Sequence, residues 1–219
     1  VVVFAILNLF VSLYFVRLLP IEQRRRFFKK VLGRLFRVKV YGLERMPKAG
    51  ERCLIVCNHT SYMDVLLIST FIDRPIVFSI NNRLLEKTIV KFMTNLVDLR
   101  PLDPTSPFAV KTMVNELKQN KTCMIFNGGL LEGGNTRLKI YEGSAMMALK
   151  GNAPIVPIRI DGAAHTFGSR VLGKKAWFKA FPQITITVMP PVEFKYPQTM
   201  PAREQRMRSS GKLYDVISN

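Results

Sequence analysis

Short apolar runs that alternate with segments of helical spacing constrain the fold of this chain more than any other feature. The runs are rich in Val and Ile, as buried strands are, and they lie at 38–42, 53–58, 75–80, 96–102, 122–127, 154–160 and 184–190. Segments with helical spacing separate most of them, at 61–72, 82–94, 107–119 and 142–150. This order predicts an α/β sandwich in which a mostly parallel or mixed sheet of about seven strands is flanked by helices.

The chain of 219 residues carries a formal net charge of +18, an excess that indicates an anionic partner. Between Arg17 and Arg52 there are twelve Lys and Arg residues and three Glu residues. This basic segment directly follows an apolar stretch, which favours a membrane phospholipid surface over a nucleic acid. Because no RNP, helix-turn-helix or zinc-finger signature accompanies the charge, we expect no nucleic-acid partner.

The N-terminal segment is nearly long and apolar enough to cross a hydrocarbon core of about 30 Å. We expect a membrane anchor, or the last transmembrane helix of a larger protein, at 1–20, a basic interfacial helix at 21–37, and the α/β domain at 38–219. An ordinary buried helix is an open alternative, whereas a signal peptide is disfavoured because no cleavage site follows the run. The basic residues after the run predict that the rest of the chain lies in the cytoplasm.

Three cysteines and two histidines limit the metal and redox chemistry of the chain. Cys53, Cys57 and Cys123 form no CxxC pair, and we interpret them as buried thiols in a reducing compartment. With so few ligands of the usual kind a zinc site is not expected. We predict a protein with no metal and no cofactor.

The densest chemical signal is the segment CLIVCNHTSYMD, in which an apolar run is followed by His59 and, five positions later, by Asp64. A strand-to-helix turn brings such a pair within reach, and an imidazole that is oriented by a carboxylate is a general base. A purely structural interpretation is open as well. Ser61-x-x-Asp64 fits a capping box at the start of a helix, and His59 would then be a turn residue; the only other histidine is His165.

A covalent nucleophile is not evident in the sequence. The chain contains no GxSxG segment, and Cys123 lies inside a predicted strand rather than at a turn. The direct route is therefore attack by an acceptor hydroxyl on a thioester. Backbone N–H groups or a helix N-terminus would stabilise the developing oxyanion.

These residues resemble the glycerolipid acyltransferase family. NHTSYMD matches the family's NHx4D motif, and the resemblance spans about residues 34–215 through the following segments: LVDLRPLDPTSP, MIFNGGLLEGGNTRLKIYEGSA, PIVPIRIDGA and FPQITITVMPP. Among its members, the chain most resembles the acyltransferase domain of bifunctional bacterial 2-acylglycerophosphoethanolamine acyltransferase/acyl-carrier-protein synthetases.

The resemblance implies an αβ sandwich whose site opens toward the membrane, at the cytoplasmic face of the bacterial inner membrane. It implies acyl transfer from an acyl carrier protein or coenzyme A thioester to a lysophospholipid, with lysophosphatidylethanolamine as the expected acceptor. Fused relatives carry a transporter-like domain before this domain and an acyl-carrier-protein synthetase after it. The expected catalytic residues are His59 and Asp64. The expected substrate-binding residues are Asn58, Ser61, Arg100, Gly128, Gly129 and Arg137.

One segment departs from the family pattern. Where the family reads FPEGR or FPEGT, this chain has FNGGL at 126–130, so Gly128 replaces the Glu and Leu130 replaces the Arg, residues credited with substrate binding. Arg137 or Arg100 would supply the missing cation if activity is retained. The alternatives are a lipid-binding or acyl-carrier-binding domain with impaired catalysis, and substitutions introduced by design or by error.

Overall fold

The computed structural model describes residues 18–80, 99–101, 107–128, 135–166, 169, 181–196 and 199–218. The predicted membrane anchor at 1–20 lies almost wholly outside these residues, as does the predicted helix at 82–94. Within the described ranges, no helix is long and apolar enough to span a bilayer.

Strands and helices alternate along the chain as the sequence pattern predicts. The strands are β1 Lys39–Tyr41, β2 Cys53–His59, β3 Ile76–Ile80, β4 Leu99–Pro101, β5 Thr122–Gly128, β6 Ile155–Asp161 and β7 Thr185–Val188. The helices are α1 Ile21–Leu35, α2 Met63–Phe71, α3 Pro107–Lys118, α4 Asn135–Gly151 and α5 Ala202–Ser218. Two 3-10 turns occupy Leu43–Arg45 and Ala163–His165. The predicted α/β class is confirmed.

Two helices differ from the prediction: α5, Ala202–Ser218, was not predicted at all, and α4 begins earlier than expected. We expected a helix at 142–150, but α4 begins at Asn135 and ends at Gly151. The glycines at 128, 129, 133 and 134 lie before residue 135, and they give the whole segment before residue 142 the appearance of a loop. Gly143 also lies within the helix, where glycine is intrinsically unfavourable. Packing against α3, α5, β2 and β5 overrides that weak local preference.

The strands form one mixed sheet in the order β1-β7-β6-β2-β5-β3-β4. Among the seven described strands, β6 and β7 pair antiparallel and every other neighbouring pair is parallel. The carboxyl ends of β2, β5 and β6 therefore lie at the same edge of the sheet, which we call the carboxyl edge. Ligand sites of open α/β sheets form at this kind of edge.

The central strand β2 is buried on both faces because helices cover both sides of the sheet. Cys53, Ile55 and Cys57 belong to a cluster that includes apolar side chains of α1 and α2. Leu54 and Val56 belong to a second cluster, which includes side chains of α3, α4 and α5. The uninterrupted apolar run of β2 thus fixes its central position in the sheet, and with it the position of His59.

We predict that Gly162, directly after β6, cannot be replaced by alanine without a large loss of stability. Its φ is +88°, and an added Cβ would lie 2.1 Å from the backbone oxygen of Gln183. Gly50 is the matched control, since its φ is +87° and an added Cβ meets nothing within 4 Å. Gly50→Ala should lower the free energy of unfolding by about 1–2 kcal/mol. Gly162→Ala should lower it clearly further in urea denaturation, and equal losses would contradict the predicted clash.

Candidate functional site

His59 and Asp64 form a hydrogen-bonded pair at the carboxyl edge. His59 is the last residue of β2, and Asp64 lies in the first turn of α2. The Nδ1 atom of His59 is 3.0 Å from Oδ2 of Asp64. The predicted proximity of the pair is confirmed, although β2 extends one residue further than expected and includes His59. With Nδ1 directed at the carboxylate, Nε2 is the nitrogen that can accept a proton.

The carboxylate of Asp64 is completely buried, and its hydrogen bonds converge on one oxygen. Oδ2 accepts the backbone N–H of Thr60 at 2.7 Å and that of Ser61 at 2.9 Å, in addition to its contact with His59. Oδ1 is buried and has no hydrogen-bond partner among the described residues. A buried carboxylate needs such donors to offset the cost of its desolvation. The turn at 59–62 is therefore wrapped around this one side chain.

The predicted capping box is found only in part, because the N-cap residue of α2 is Tyr62, whose side chain makes no capping hydrogen bond. Ser61 Oγ accepts the backbone N–H of Met63 at 3.1 Å, while the carboxylate of Asp64 accepts the N–H of Ser61. These reciprocal bonds resemble a capping box. Capping and orientation of His59 are thus not exclusive, because the oxygen of Asp64 that caps the turn also contacts the imidazole.

The imidazole of His59 lies against an aromatic ring. It stacks on Phe126 of β5 with 4.3 Å between the ring centroids and 25° between the planes. The side chain of His59 is 12% exposed. The ring is thus held on one face by Phe126 and at Nδ1 by Asp64, while part of its surface is open to a substrate.

Asn58 and Ser61, both predicted to bind substrate, make contacts with the end of β6 and with the turn that follows it, respectively. Asn58 donates from Nδ2 to the carbonyl of Ile160 and accepts the N–H of Ile160 at Oδ1, each at 2.8 Å. Ser61 Oγ is 2.8 Å from Oγ1 of Thr166. Both Ser61 and Thr166 have no exposed surface. The polar atoms of these residues are therefore engaged within the protein, and their predicted contact with substrate stays a prediction.

Gly128 is the in-register neighbour of His59, because β2 and β5 pair from Cys53 opposite Thr122 to His59 opposite Gly128. Neighbouring strands lie about 4.8 Å apart. The position at which the family pattern has a Glu is thus directly beside the histidine. Gly129 and Leu130 lie outside the described residues.

The two arginines predicted to bind substrate lie on different elements of the fold. Arg100 is on β4, at the far end of the sheet order, and both β3 and β5 separate it from β2. At about 4.8 Å per strand its backbone is roughly 14 Å from β2. Arg137 lies in the first turn of α4, the next described element after β5. β5, the strand before Arg137 in the chain, pairs with β2, which ends at His59.

The three thiols have no features of nucleophiles. Cys53, Cys57 and Cys123 are all free and buried. Burial raises the pKa of the Cys123 thiol to about 12 and also raises the pKa of Cys53 and of Cys57. Thiols with raised pKa values stay protonated at neutral pH and react slowly. Within the described residues, no group of three or more His, Cys, Asp and Glu side chains could hold a metal ion.

Sequence reasoning missed two residues of this site, Phe126 and Thr166. Phe126 lies two residues before Gly128 in a parallel strand, so its place beside β2 follows only when the register is known. Thr166 is 105 residues from Ser61 along the chain, and a lone threonine carries no sequence signal. The only available indication was that Thr166 follows a predicted strand whose carboxyl end would share the edge with His59.

Two curated acyltransferases are similar to this chain in sequence. The 1-acyl-sn-glycerol-3-phosphate acyltransferase BAT2, chloroplastic, of Brassica napus is 23% identical over 137 residues, which cover 58% of this chain and 38% of that protein. The 1-acyl-sn-glycerol-3-phosphate acyltransferase of Cocos nucifera is 24% identical over 125 residues, which cover 55% of this chain and 41% of that protein. The chain thus spans about two fifths of the length of these relatives.

A solved structure has a similar fold. The crystal structure of the 1-acyl-sn-glycerophosphate (LPA) acyltransferase PlsC from Thermotoga maritima superimposes with a TM-score of 0.55 at 20% identity. The match covers 93% of this chain and 85% of that chain. Residues 37–161, more than half of the sequence, match the family model described as Acyltransferase. Since that segment contains both His59 and Asp64, the chain belongs to the acyltransferase family.

Proposed function

We propose that this chain transfers a fatty acyl group from an acyl thioester to the free hydroxyl of a lysophospholipid. The observation that carries the proposal is the contact of 3.0 Å between His59 and a carboxylate that is completely buried. In this arrangement Asp64 holds Nδ1 of the imidazole, and Nε2 is the base. The family match and the names of the relatives support the class of reaction.

The reaction needs one proton shuttle and no covalent enzyme intermediate. His59 Nε2 takes the proton of the acceptor hydroxyl as its oxygen attacks the thioester carbonyl. Asp64 stabilises the imidazolium that forms. When the C–S bond breaks, the imidazolium returns the proton to the leaving thiolate, so that an ester and a thiol are released. Backbone N–H groups near the start of α4 are candidates to stabilise the oxyanion.

The acceptor and donor are part of the proposal. The names of the relatives point to 1-acyl-sn-glycerol-3-phosphate, whereas resemblance to the bifunctional bacterial enzymes points to lysophosphatidylethanolamine. Both acceptors present a free hydroxyl beside a phosphate, and the same base serves both. Acyl carrier protein or coenzyme A would carry the acyl group. Fusion to a transporter-like domain and a synthetase domain, and a place at the cytoplasmic face of the bacterial inner membrane, belong to the same hypothesis.

A second candidate function follows from the altered segment at 126–130. Gly128 pairs with His59, so the loss of a charged side chain at that position affects the immediate surroundings of the base. A domain that binds lysolipid or an acyl carrier but turns it over slowly would have the same fold and the same His59–Asp64 pair. Measured turnover distinguishes the two functions.

The surface of α1 supports a site that faces a membrane. Exposed cations recur every fourth residue: Arg26, Lys30 and Arg34. Exposed apolar side chains follow each of them by one residue: Phe27, Val31 and Leu35. The next line of residues is buried: Phe28, Leu32 and Phe36. An apolar strip between a cationic strip and the core suits a helix at the headgroup boundary of an anionic bilayer.

This helix ends at the edge of the sheet that carries His59. β1 follows α1, and its first residue, Lys39, pairs with Thr185. Thr185 in turn pairs with Asp161, the last residue of β6. A bilayer against the end of α1 would therefore lie on the side where a lipid acceptor must enter.

Removal of either member of the pair should abolish most acyl transfer. We expect His59→Ala and Asp64→Asn to lower kcat by about a hundredfold or more, because general-base catalysis contributes about 10²–10⁴ in rate. The measurement is transfer of labelled acyl groups from acyl carrier protein and from coenzyme A to both lysophospholipids in detergent. His165→Ala, which removes the other histidine, is the matched control. Wild-type rates in the folded His59→Ala variant would exclude His59 as the base.

Restoration of the family pattern should raise activity. We expect the variant with Gly128→Glu and Leu130→Arg to exceed the natural chain about tenfold or more in kcat/KM, since a hydrogen bond to a charged group contributes about 1.5–3 kcal/mol. Residual activity of the unaltered chain would support the first proposed function. Activity in the restored variant alone would favour the second. Equal activity in both would mean that another cation, such as Arg137, binds the phosphate.

Attached probes can test the orientation of α1. The native thiols are buried, with raised pKa values, so a fluorophore should react only with an introduced cysteine. We expect a label at Val31→Cys to be quenched by doxyl lipids in anionic vesicles. A label at Phe108→Cys, an exposed residue of α3, which packs on the other face of the sheet, is the control. Similar quenching at both positions would contradict the proposed surface.

A further inference from the structure

The turn that carries the His59–Asp64 pair is joined to the turn after β6 by side-chain hydrogen bonds. We call residues 59–62 the β2 turn and residues 162–166 the β6 turn. Just before the two turns, Asn58 makes two hydrogen bonds with the backbone of Ile160. Further along, Ser61 Oγ lies 2.8 Å from Thr166 Oγ1. The second contact joins the β2 turn at the point where Asp64 is bound.

The direction of these hydrogen bonds follows from the protons available. Thr166 has one hydroxyl proton, which it donates to the carbonyl of Ala163 at 2.7 Å. The hydroxyl of Ser61 must therefore donate to Thr166, and Ser61 Oγ accepts the N–H of Met63. These hydrogen bonds form a series in one direction. The N–H of Met63 in α2 donates to Ser61, Ser61 donates to Thr166, and Thr166 donates to Ala163 in the β6 turn.

The backbone of Ser61 connects this series of hydrogen bonds to the His59–Asp64 pair. The N–H of Ser61 donates to Oδ2 of Asp64 at 2.9 Å, and the N–H of Asp64 donates to the carbonyl of Ser61 at 3.1 Å. The same Oδ2 contacts Nδ1 of His59. Any displacement of Ser61 therefore moves a donor on which the position of the carboxylate depends.

We propose that Thr166 is a positioning residue for the His59–Asp64 pair, although it touches neither side chain. Its hydroxyl is the acceptor that holds Ser61, and Ser61 in turn holds Asp64. The effect on rate rests on the proposed acyl transfer, whereas the effect on the imidazole does not. Both Thr166 and Ser61 are buried with no exposed surface, so water does not replace a hydroxyl that is lost.

Substitution of Thr166 by valine removes this acceptor at nearly constant volume. The carbonyl of Ala163, which accepts the backbone N–H of residue 166 at 3.0 Å, keeps that hydrogen bond. The buried hydroxyl of Ser61, in contrast, loses its acceptor. A buried hydroxyl without a partner is unfavourable, and the local structure shifts to satisfy it. The predicted consequence is a less well-defined position of Asp64 and a mixture of imidazole tautomers at His59.

The test combines a spectrum of the imidazole with kinetics on the full chain. With only two histidines, histidine labelled with ¹⁵N gives two sets of ring signals, which His165→Gln assigns. We expect neutral His59 to be the Nδ1–H tautomer in the natural chain and a mixture of tautomers in Thr166→Val. We also expect kcat to fall about ten- to a hundredfold with little change in KM, as misplacement of catalytic groups does. Thr166→Ser, which keeps the hydroxyl, should restore both readouts.

Thr122→Val is the matched control for loss of a buried hydroxyl. Thr122 is 6% exposed, accepts a hydrogen bond from Arg74, and lies at the amino end of β5, opposite to the carboxyl edge. We expect Thr122→Val to lower the free energy of unfolding without changing the His59 ring signals or kcat. If Thr166→Val does not fold, Ser61→Ala breaks the same hydroxyl contact and gives the same readouts.

The outcomes separate this inference from the proposed function. If the unaltered chain shows no acyl transfer, the proposed function is overturned. If Thr166→Val then still shifts the tautomer of His59, the positioning role is supported. Unchanged His59 signals in folded Thr166→Val would overturn the positioning role, whatever the activity. A tautomer shift of the same size in Thr122→Val would overturn it as well, because the effect would then reflect general destabilisation.

Discussion

A fully buried carboxylate is the constraint on which the candidate site depends. Asp64 has no exposed surface, and a charge removed from water must be offset by nearby hydrogen-bond donors. Its Oδ2 is contacted by the imidazole of His59 and by the backbone N–H groups of Thr60 and Ser61. Two of these three contacts come from the main chain, so the carboxylate shapes the turn as well as the imidazole. The stability of the turn and the position of the imidazole therefore depend on the same hydrogen bonds.

The parallel pairing of β2 with β5 and β6 explains why the site forms where it does. The three strands end at one edge, so the residues that follow them meet there although they are far apart in the chain. His59 ends β2, Gly128 ends β5, and Thr166 follows β6. Because β2 is apolar and buried on both faces, a slide along its axis would bring a polar residue that flanks the apolar run into the core. The packing of β2 in the core thus fixes the position of His59 at the carboxyl edge.

The sequence allowed the strands, the α/β class and the proximity of His59 to Asp64 to be predicted because each depends on local pattern. Apolar runs mark strands, and a separation of five residues across a turn limits the distance between two side chains. The contact of Thr166 with Ser61 depends on the order of the strands, which no local pattern contains. The start of α4 was missed for a different reason, because loop-like composition before residue 142 concealed a helix that its packing stabilises.

The surroundings of His59 differ between the side of β6 and the side of β5. On the side of β6, the turn that carries His59 is held by Asn58 and by the hydroxyls of Ser61 and Thr166, all of them paired. On the side of β5, the in-register neighbour of His59 is Gly128, which brings no side chain. A chain that had lost all need for the imidazole would have little reason to keep a buried carboxylate with converging donors, since that carboxylate is costly if a single donor is lost. The hydrogen bonds on the side of β6 therefore fit the proposal that His59 is kept as a base, whereas the change at Gly128 alters the surroundings of the imidazole on the side of β5.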